Sequence, residues 1–233
     1  MKSLLVASAA LAAMGLSSAH AAATILTFDG AHGEIVDVAN LAFVESIDVV
    51  NNDGSAPQDT LVIFDTETNT PNGDGDLLAP FFEAPFDING TEIFPGGIAI
   101  IPDQDDPLAD DEALGGIITF VFTVPVTMDS IRFFDASTVE VTLFSDKGSA
   151  VEIGSETVTG LDDVVDNPKN VNKTDVLDLS AYVDVLSLQI DLSGTSGGFD
   201  NVSFVATPVP GALPLMIGGV ALVGFAARRR RQH

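Results

Sequence analysis

Leu186-Ser187-Leu188-Gln189-Ile190-Asp191-Leu192-Ser193 decides the fold class, because four aliphatic side chains alternate with four polar ones. A period of two puts the aliphatic set on one face of an extended chain and the polar set on the other, the pattern of a half-buried β-strand. Val139, Val141 and Leu143 repeat it, alternating with Glu140, Thr142 and Phe144. Further strand candidates lie at 24–28, 42–49, 60–64, 98–101, 117–124, 130–134, 151–158 and 199–205. These runs are rich in Val, Ile, Thr and Phe and are separated by clusters of Gly, Pro, Asn and Asp. No stretch sustains a 3.6-residue period, and no internal repeat of fixed length is present. About ten short strands in roughly 185 residues predict an all-β chain, a single antiparallel β-sandwich that is jelly-roll-like. Phe120, Phe122, Phe133 and Phe204 sit at strand spacing and read as core. Residues 65–93 and 102–114 read as long loops, which in a compact domain carry function or lack order.

The chain has 233 residues, of which 46% are apolar, so it can bury a sizeable core. Only 18% are charged, yet the formal net charge is −25. All 34 Asp and Glu fall within 22–206, where Arg132, Lys147, Lys169 and Lys173 are the only Lys or Arg, so that stretch carries a charge near −30. Such charge keeps a chain soluble and attracts cations. It also opposes phosphate backbones, which excludes nucleic acid as a partner. The absence of Cys excludes a disulfide framework, a Cys-ligated zinc site and thiol catalysis.

Both ends read as addresses. In residues 1–21, Lys2 precedes a short apolar run over 4–16, and Ala19-His20-Ala21 supplies an A-x-A cleavage pattern. This is the order of a secretory signal peptide, with the mature chain starting at Ala22. At the other end, residues 209–227 carry no charge. As a helix they would cover about 28 Å, close to the hydrocarbon thickness of a bilayer. Arg228, Arg229, Arg230 and Arg231 then mark the cytoplasmic side, so the preceding domain faces outward.

This tail resembles a family. Thr207-Pro208-Val209-Pro210-Gly211-Ala212-Leu213-Pro214-Leu215-Met216, followed by a small-residue apolar helix and an Arg cluster, resembles the PEP-CTERM class of sorting tails recognised by exosortases in Gram-negative bacteria. It lies nearest the VPLPA-CTERM variant, with which its three prolines and Leu213 agree. Thr207 replaces the usual Val, Gly211 and Ala212 stand in swapped order, and no Glu lies between prolines. The resemblance covers about 27 residues, 207–233. It implies an exosortase-like membrane protease as partner, an inner-membrane intermediate, a cut near Pro210, and release to the cell surface or extracellular matrix. The alternative for the same segment is a permanent single-pass anchor.

Four constellations bear on chemistry. Asn72-Gly73-Asp74-Gly75-Asp76 spaces oxygen ligands as a calcium loop does, with Glu83 further on. Leu77 stands where an EF-hand needs Gly, and Pro80 interrupts the loop, so a β-loop calcium site using Asp74 and Asp76 is set against a solvated acidic turn. Asp103, Asp105, Asp106, Asp110, Asp111 and Glu112 form an acidic run that could pinch a cation or simply face water. Gly197-Gly198-Phe199-Asp200-Asn201-Val202-Ser203-Phe204 resembles the closing strand of bacterial jelly-roll modules similar to carbohydrate-binding ones. That resemblance implies a structural calcium joining Asp200 to Asp29; the plain reading is a Gly turn with an Asx cap. His32 is the one histidine in 22–206, and no G-x-S-x-G elbow is present, so a catalytic triad finds no support. Tyr182 is the chain's only Tyr and there is no Trp, which weakens sugar stacking. Phe81, Phe82 and Phe86 are left either to cover the sandwich or to meet a partner.

The expectation is a secreted or cell-surface protein of the bacterial envelope or matrix that is not an enzyme. A calcium-organised module binding glycan or extracellular polysaccharide is the first alternative. A glycoside hydrolase working through two carboxylates is the second.

Overall fold

Alternating strands bury their apolar faces only when neighbours satisfy their backbone edges, and here one long strand supplies most of those neighbours. The computed structural model describes residues 22–52, 60–66, 77, 96–103, 114–159, 174–195 and 197–207. Ten strands run in order: β1 (Ala23–Leu26), β2 (Val44–Asn51), β3 (Val62–Asp65), β4 (Gly97–Ile100), β5 (Gly116–Phe134), β6 (Thr138–Phe144), β7 (Glu152–Thr159), β8 (Thr174–Asp178), β9 (Val185–Asp191) and β10 (Gly198–Ala206). They form one antiparallel ten-stranded sheet, ordered β3-β4-β10-β5-β9-β6-β7, with β1 on β10 and both β2 and β8 on β5. The all-β expectation is met. Among the described residues the only helical piece is a 3₁₀ turn at Val38–Asn40, capped by the Asp37 carboxylate on the Ala39 N–H. No helix among the described residues is long and apolar enough to cross a membrane. The proposed signal peptide 1–21 and helix 209–227 lie outside the described residues.

The two strands read at 117–124 and 130–134 are one strand, β5, of 19 residues. Its first half pairs with β2 from Asn51↔Gly116 to Val44↔Phe122, and with β9 from Ile117↔Asp191 to Val121↔Ser187. Its second half pairs with β10, up to Val126↔Ala206, and with β8 over Ser130↔Asp178 to Phe134↔Thr174. Pro125 falls where these registers skip, so its missing N–H costs no ladder bond. Its carbonyl instead accepts the Thr207 N–H at 2.9 Å.

The two arms meet through aromatic rings. Phe120 and Phe122 come from the first half of β5, and Phe199 and Phe204 from β10. Phe120 lies 6.0 Å from Phe199, edge-on, and Phe122 lies 5.1 Å from Phe204. Phe28 and Phe133 also reach Phe199, at 5.4 and 6.3 Å. Val141, Leu188 and Ile190 belong to the same buried cluster, as their alternation requires. Phe120, Phe122, Phe133 and Phe204 are all fully buried, as read from their spacing.

The polar phase departs from expectation at Ser187, which is fully buried. The loop after β6 covers it, and its hydroxyl donates to the Asp146 carbonyl at 2.6 Å. Asp146 holds that loop by accepting the N–H groups of Gly148, Ala150 and Val151. β8 has no counterpart among the expected strands. Its residues are mostly exposed, so no apolar face marks them, and the strand exists because β5 offers it an edge. A second apolar cluster joins Val62, Phe64, Ile98, Ile100 and Phe134 to Leu77. Leu77, the residue that breaks the EF-hand pattern, is thus a fully buried anchor.

Replacing Phe199 with Ala removes the ring that three other rings touch and should lower stability by about 3–5 kcal/mol. Val50→Thr, at a residue 58% exposed, should stay within about 0.5 kcal/mol of the parent. Urea midpoints test this, and equal midpoints for both variants would refute the ring cluster as the centre of the core.

Candidate functional site

The Gly-Gly-Phe-Asp-Asn sequence opening β10 sets the geometry of the site. At Gly197, with φ of +117°, a Cβ would fall 2.5 Å from the Phe134 carbonyl oxygen, and at Gly198 one would fall 2.9 Å from that of Ala99. The two glycines therefore let β10 slip between β4 and β5. The β10–β5 register then shifts between Asp200 and Ser203, and Asn201 sits at φ of 54°. This is a β-bulge, and Asn tolerates the left-handed turn it needs. The extra residue keeps Phe199, Val202 and Phe204 all in the core, and Asp200 and Ser203 stay out of that apolar cluster.

Asp200 is nevertheless only 4% exposed. The chain leaving β1 lies over it, and the Phe28 N–H donates to its Oδ1 at 3.2 Å. Burial pushes its carboxyl up to about 6. The N–H groups of Asn201 and Phe28 oppose that rise, the nearby charge of Asp29 adds to it, and the Arg132 guanidinium counters it. The fold thus brings Asp29 within electrostatic reach of Asp200, the two residues the sequence paired. Asp29 is exposed, and its Oδ1 borders Gly96.

Beyond Asp29 a recess of about 250 Å³ is lined by Asp29, Glu34 and Asp37 beside Phe28, Ile35 and Leu41. Two of these acids serve local turns: Glu34 accepts the Ala31 N–H, and Asp37 accepts the Ala39 N–H and the Asn40 amide. Among the described residues no group of three His, Asp or Glu has the spacing of a metal site. Asp74, Asp76, Glu83 and the acids from Asp105 to Glu112 lie outside the described residues; Asp103 is half-buried. The sorting residues Pro208, Val209, Pro210, Gly211, Ala212, Leu213 and Pro214 also lie outside, as do Arg228 to Arg231 and Phe81, Phe82 and Phe86.

His32 lies in a loop, as expected. Its Nδ1 accepts the Asp65 N–H at 3.4 Å, and its ring meets Phe64 edge-on at 5.0 Å. Tyr182 donates its hydroxyl to Glu156 at 2.8 Å and lays its ring over Gly154, where a Cβ would clash. Hydrogen bonding to Glu156 raises its pKa above the ordinary value.

Sequence reasoning passed over Arg132 except as a charge. It is the cross-strand neighbour of Asp200 on β10 and of Val176 on β8. Burial lowers its pKa, the charge of Asp200 partly restores it, and its Nε is buried without a hydrogen-bond partner. The outward phase of Ser130-Ile131-Arg132-Phe133 was the available signal. No protein-family model matches this chain, and no curated protein matches it.

Asp200 fixes a pH dependence. Its folded carboxyl titrates near 6 against an ordinary 3.8, so the folded chain holds the proton more tightly. Its contribution to stability is complete below 3.8 and is lost as pH rises through about 6, a change of about 3 kcal/mol. Asp146 and Asp178 act oppositely. Hydrogen bonds from Val151 and Ser180 hold them below the usual range, so their contributions vanish only at lower pH. In metal-free buffer, stability should therefore fall between about pH 4 and pH 7, and Asp200→Asn should flatten that slope. Equal slopes in parent and variant would assign the titration elsewhere.

Proposed function

We propose that this chain is a secreted, non-enzymatic surface protein of the bacterial envelope or extracellular matrix. Residues 22–206 form an acidic, jelly-roll-like β-sandwich exported by the signal peptide 1–21. The tail 207–233 holds it in the inner membrane until an exosortase-like protease cuts near Pro210. One observation carries this reading: β1 pairs with β10 so that Ala23 lies opposite Val205. The two ends that the sequence assigns to membrane segments therefore leave the sheet side by side, about 5 Å apart. That arrangement would let the signal peptide and the tail enter one bilayer from the same side of the domain before either is cut. Cuts after Ala21 and near Pro210 would leave all ten described strands whole.

Mass spectrometry of the native protein should find an N-terminus at Ala22 and a C-terminus near Pro210 on most copies. Retention of Arg228 to Arg231 on most copies would reduce the tail to a permanent anchor.

A second reading, a calcium ion at Asp29 and Asp200, is favoured by the proximity of the two carboxylates where the chain leaving β1 crosses β10: Phe28, next to Asp29, donates its N–H to Asp200, and burial first and the Asp29 charge second raise the Asp200 pKa. Calcium takes six to eight oxygens, so backbone carbonyls and water would complete its shell. Calcium binding would raise the unfolding temperature by mass action above its value in magnesium or EDTA at equal ionic strength. Equal midpoints in all three, or a calcium-dependent rise that survives Asp200→Asn, would remove this site.

A further inference from the structure

We propose that the sheet face around Arg132 binds a carboxylate whose molecule also carries a hydroxyl a few atoms away, as free hydroxy acids do and as uronic acids do through their ring hydroxyls. Arg132 is the only arginine between residues 22 and 206, in a stretch that holds all 34 acids. The one ion pair between two described residues nevertheless joins Lys147 to Glu45 and leaves Arg132 out. Asp200 stands across from Arg132 and its charge acts on the guanidinium, but no ion pair joins the two, and its Oδ1 accepts the Phe28 N–H. The Nε of this half-buried guanidinium is shielded from solvent and has no hydrogen-bond partner, so an outside acceptor would meet the remaining, more open part of the group.

The surroundings decide which acceptor. Arg132 opens into a recess of about 180 Å³, smaller than the roughly 300–1,000 Å³ of ordinary ligand pockets, so it takes one side group or one sugar unit. Ser130 and Asn201 line it and can add donors. Asp129 also lines it, and its Oδ2 already accepts the Ser203 hydroxyl at 3.0 Å. Its other oxygen is an acceptor that rewards a ligand hydroxyl and repels a second negative charge. A phosphate or dicarboxylate is thereby disfavoured, and a bare cation is repelled by Arg132. Ile25 and Val176 flank the recess at 56% and 45% exposure and offer apolar walls to the C–H face of a hydroxylated ligand. This inference stands apart from the sorting reading, since neither depends on how the tail is processed.

The test is calorimetric titration of the full-length protein in detergent with EDTA present, which removes cation bridging. The probes are methyl galacturonoside, glycolate, acetate and the uncharged methyl galactoside. Saturable binding of galacturonoside or glycolate, with acetate and galactoside at least about tenfold weaker, is the expected result. The tighter of the two hydroxy acids tells whether the source is a polysaccharide unit or a free acid. Arg132→Gln should abolish binding, and Asp129→Asn should weaken hydroxy acids about threefold or more while sparing acetate. Should Arg132→Gln fail to fold, the exposed Asp129→Asn decides alone. No saturable binding of either hydroxy acid, acetate binding as tightly as both, or variants that bind like the parent would overturn the proposal.

Discussion

The backbone hydrogen bonds of β5 are what the rest of the sheet depends on. Four other strands take their register from this one strand, two along each half. A sheet that changes partners partway along a strand must turn there, and the skipped registers around Pro125 are where β5 does so. Burial of Phe120 and Phe122 against Phe199 and Phe204 follows, because rings on the two halves can meet only if the arms approach. The core is therefore built from long-range contacts, which makes it cooperative and ties β1, at the start of the described chain, to β10, at its end.

β10 carries two demands that conflict. Its apolar residues must fill the centre of the core, and its polar residues must face elsewhere without stranding a carboxylate. The bulge at Asn201 resolves the first by changing the alternation in mid-strand. It leaves the second only partly met, since Asp200 is buried with two backbone N–H groups and the cross-strand Arg132 guanidinium for company, and no ion pair joins the two. That imbalance is the source of its raised pKa, and it links the closing strand, the exit of β1 and the face of β5 into one electrostatic unit.

Much of this was legible in the residues. Strand patterning located nine of the ten described strands, one of them, β5, as two separate halves, and identified the buried phenylalanines. The pairing of Asp29 with Asp200 was also legible, through the resemblance of the closing strand. β8 was not, because an exposed edge strand has no apolar phase to announce it. Nor was the burial of Ser187, whose polar phase faces a loop instead of water. Leu77 read as a flaw in a calcium loop and is a core anchor of the second cluster.

By itself the sequence determined the strand content, which face of most strands is apolar, the concentration of acid between two acid-free ends, and the glycines and Asn that β10 needs. These are local properties, set by side-chain alternation and by which residues tolerate a left-handed backbone. The tertiary structure alone decided that 116–134 is one strand shared by two arms, that Ala23 lies beside Val205, and that Arg132 meets Asp200. Phe28 and Asp200 are 172 positions apart, and no local pattern encodes a contact at that distance. Such contacts arise when strands choose partners, a choice made by the summed burial and hydrogen bonding of the whole sheet.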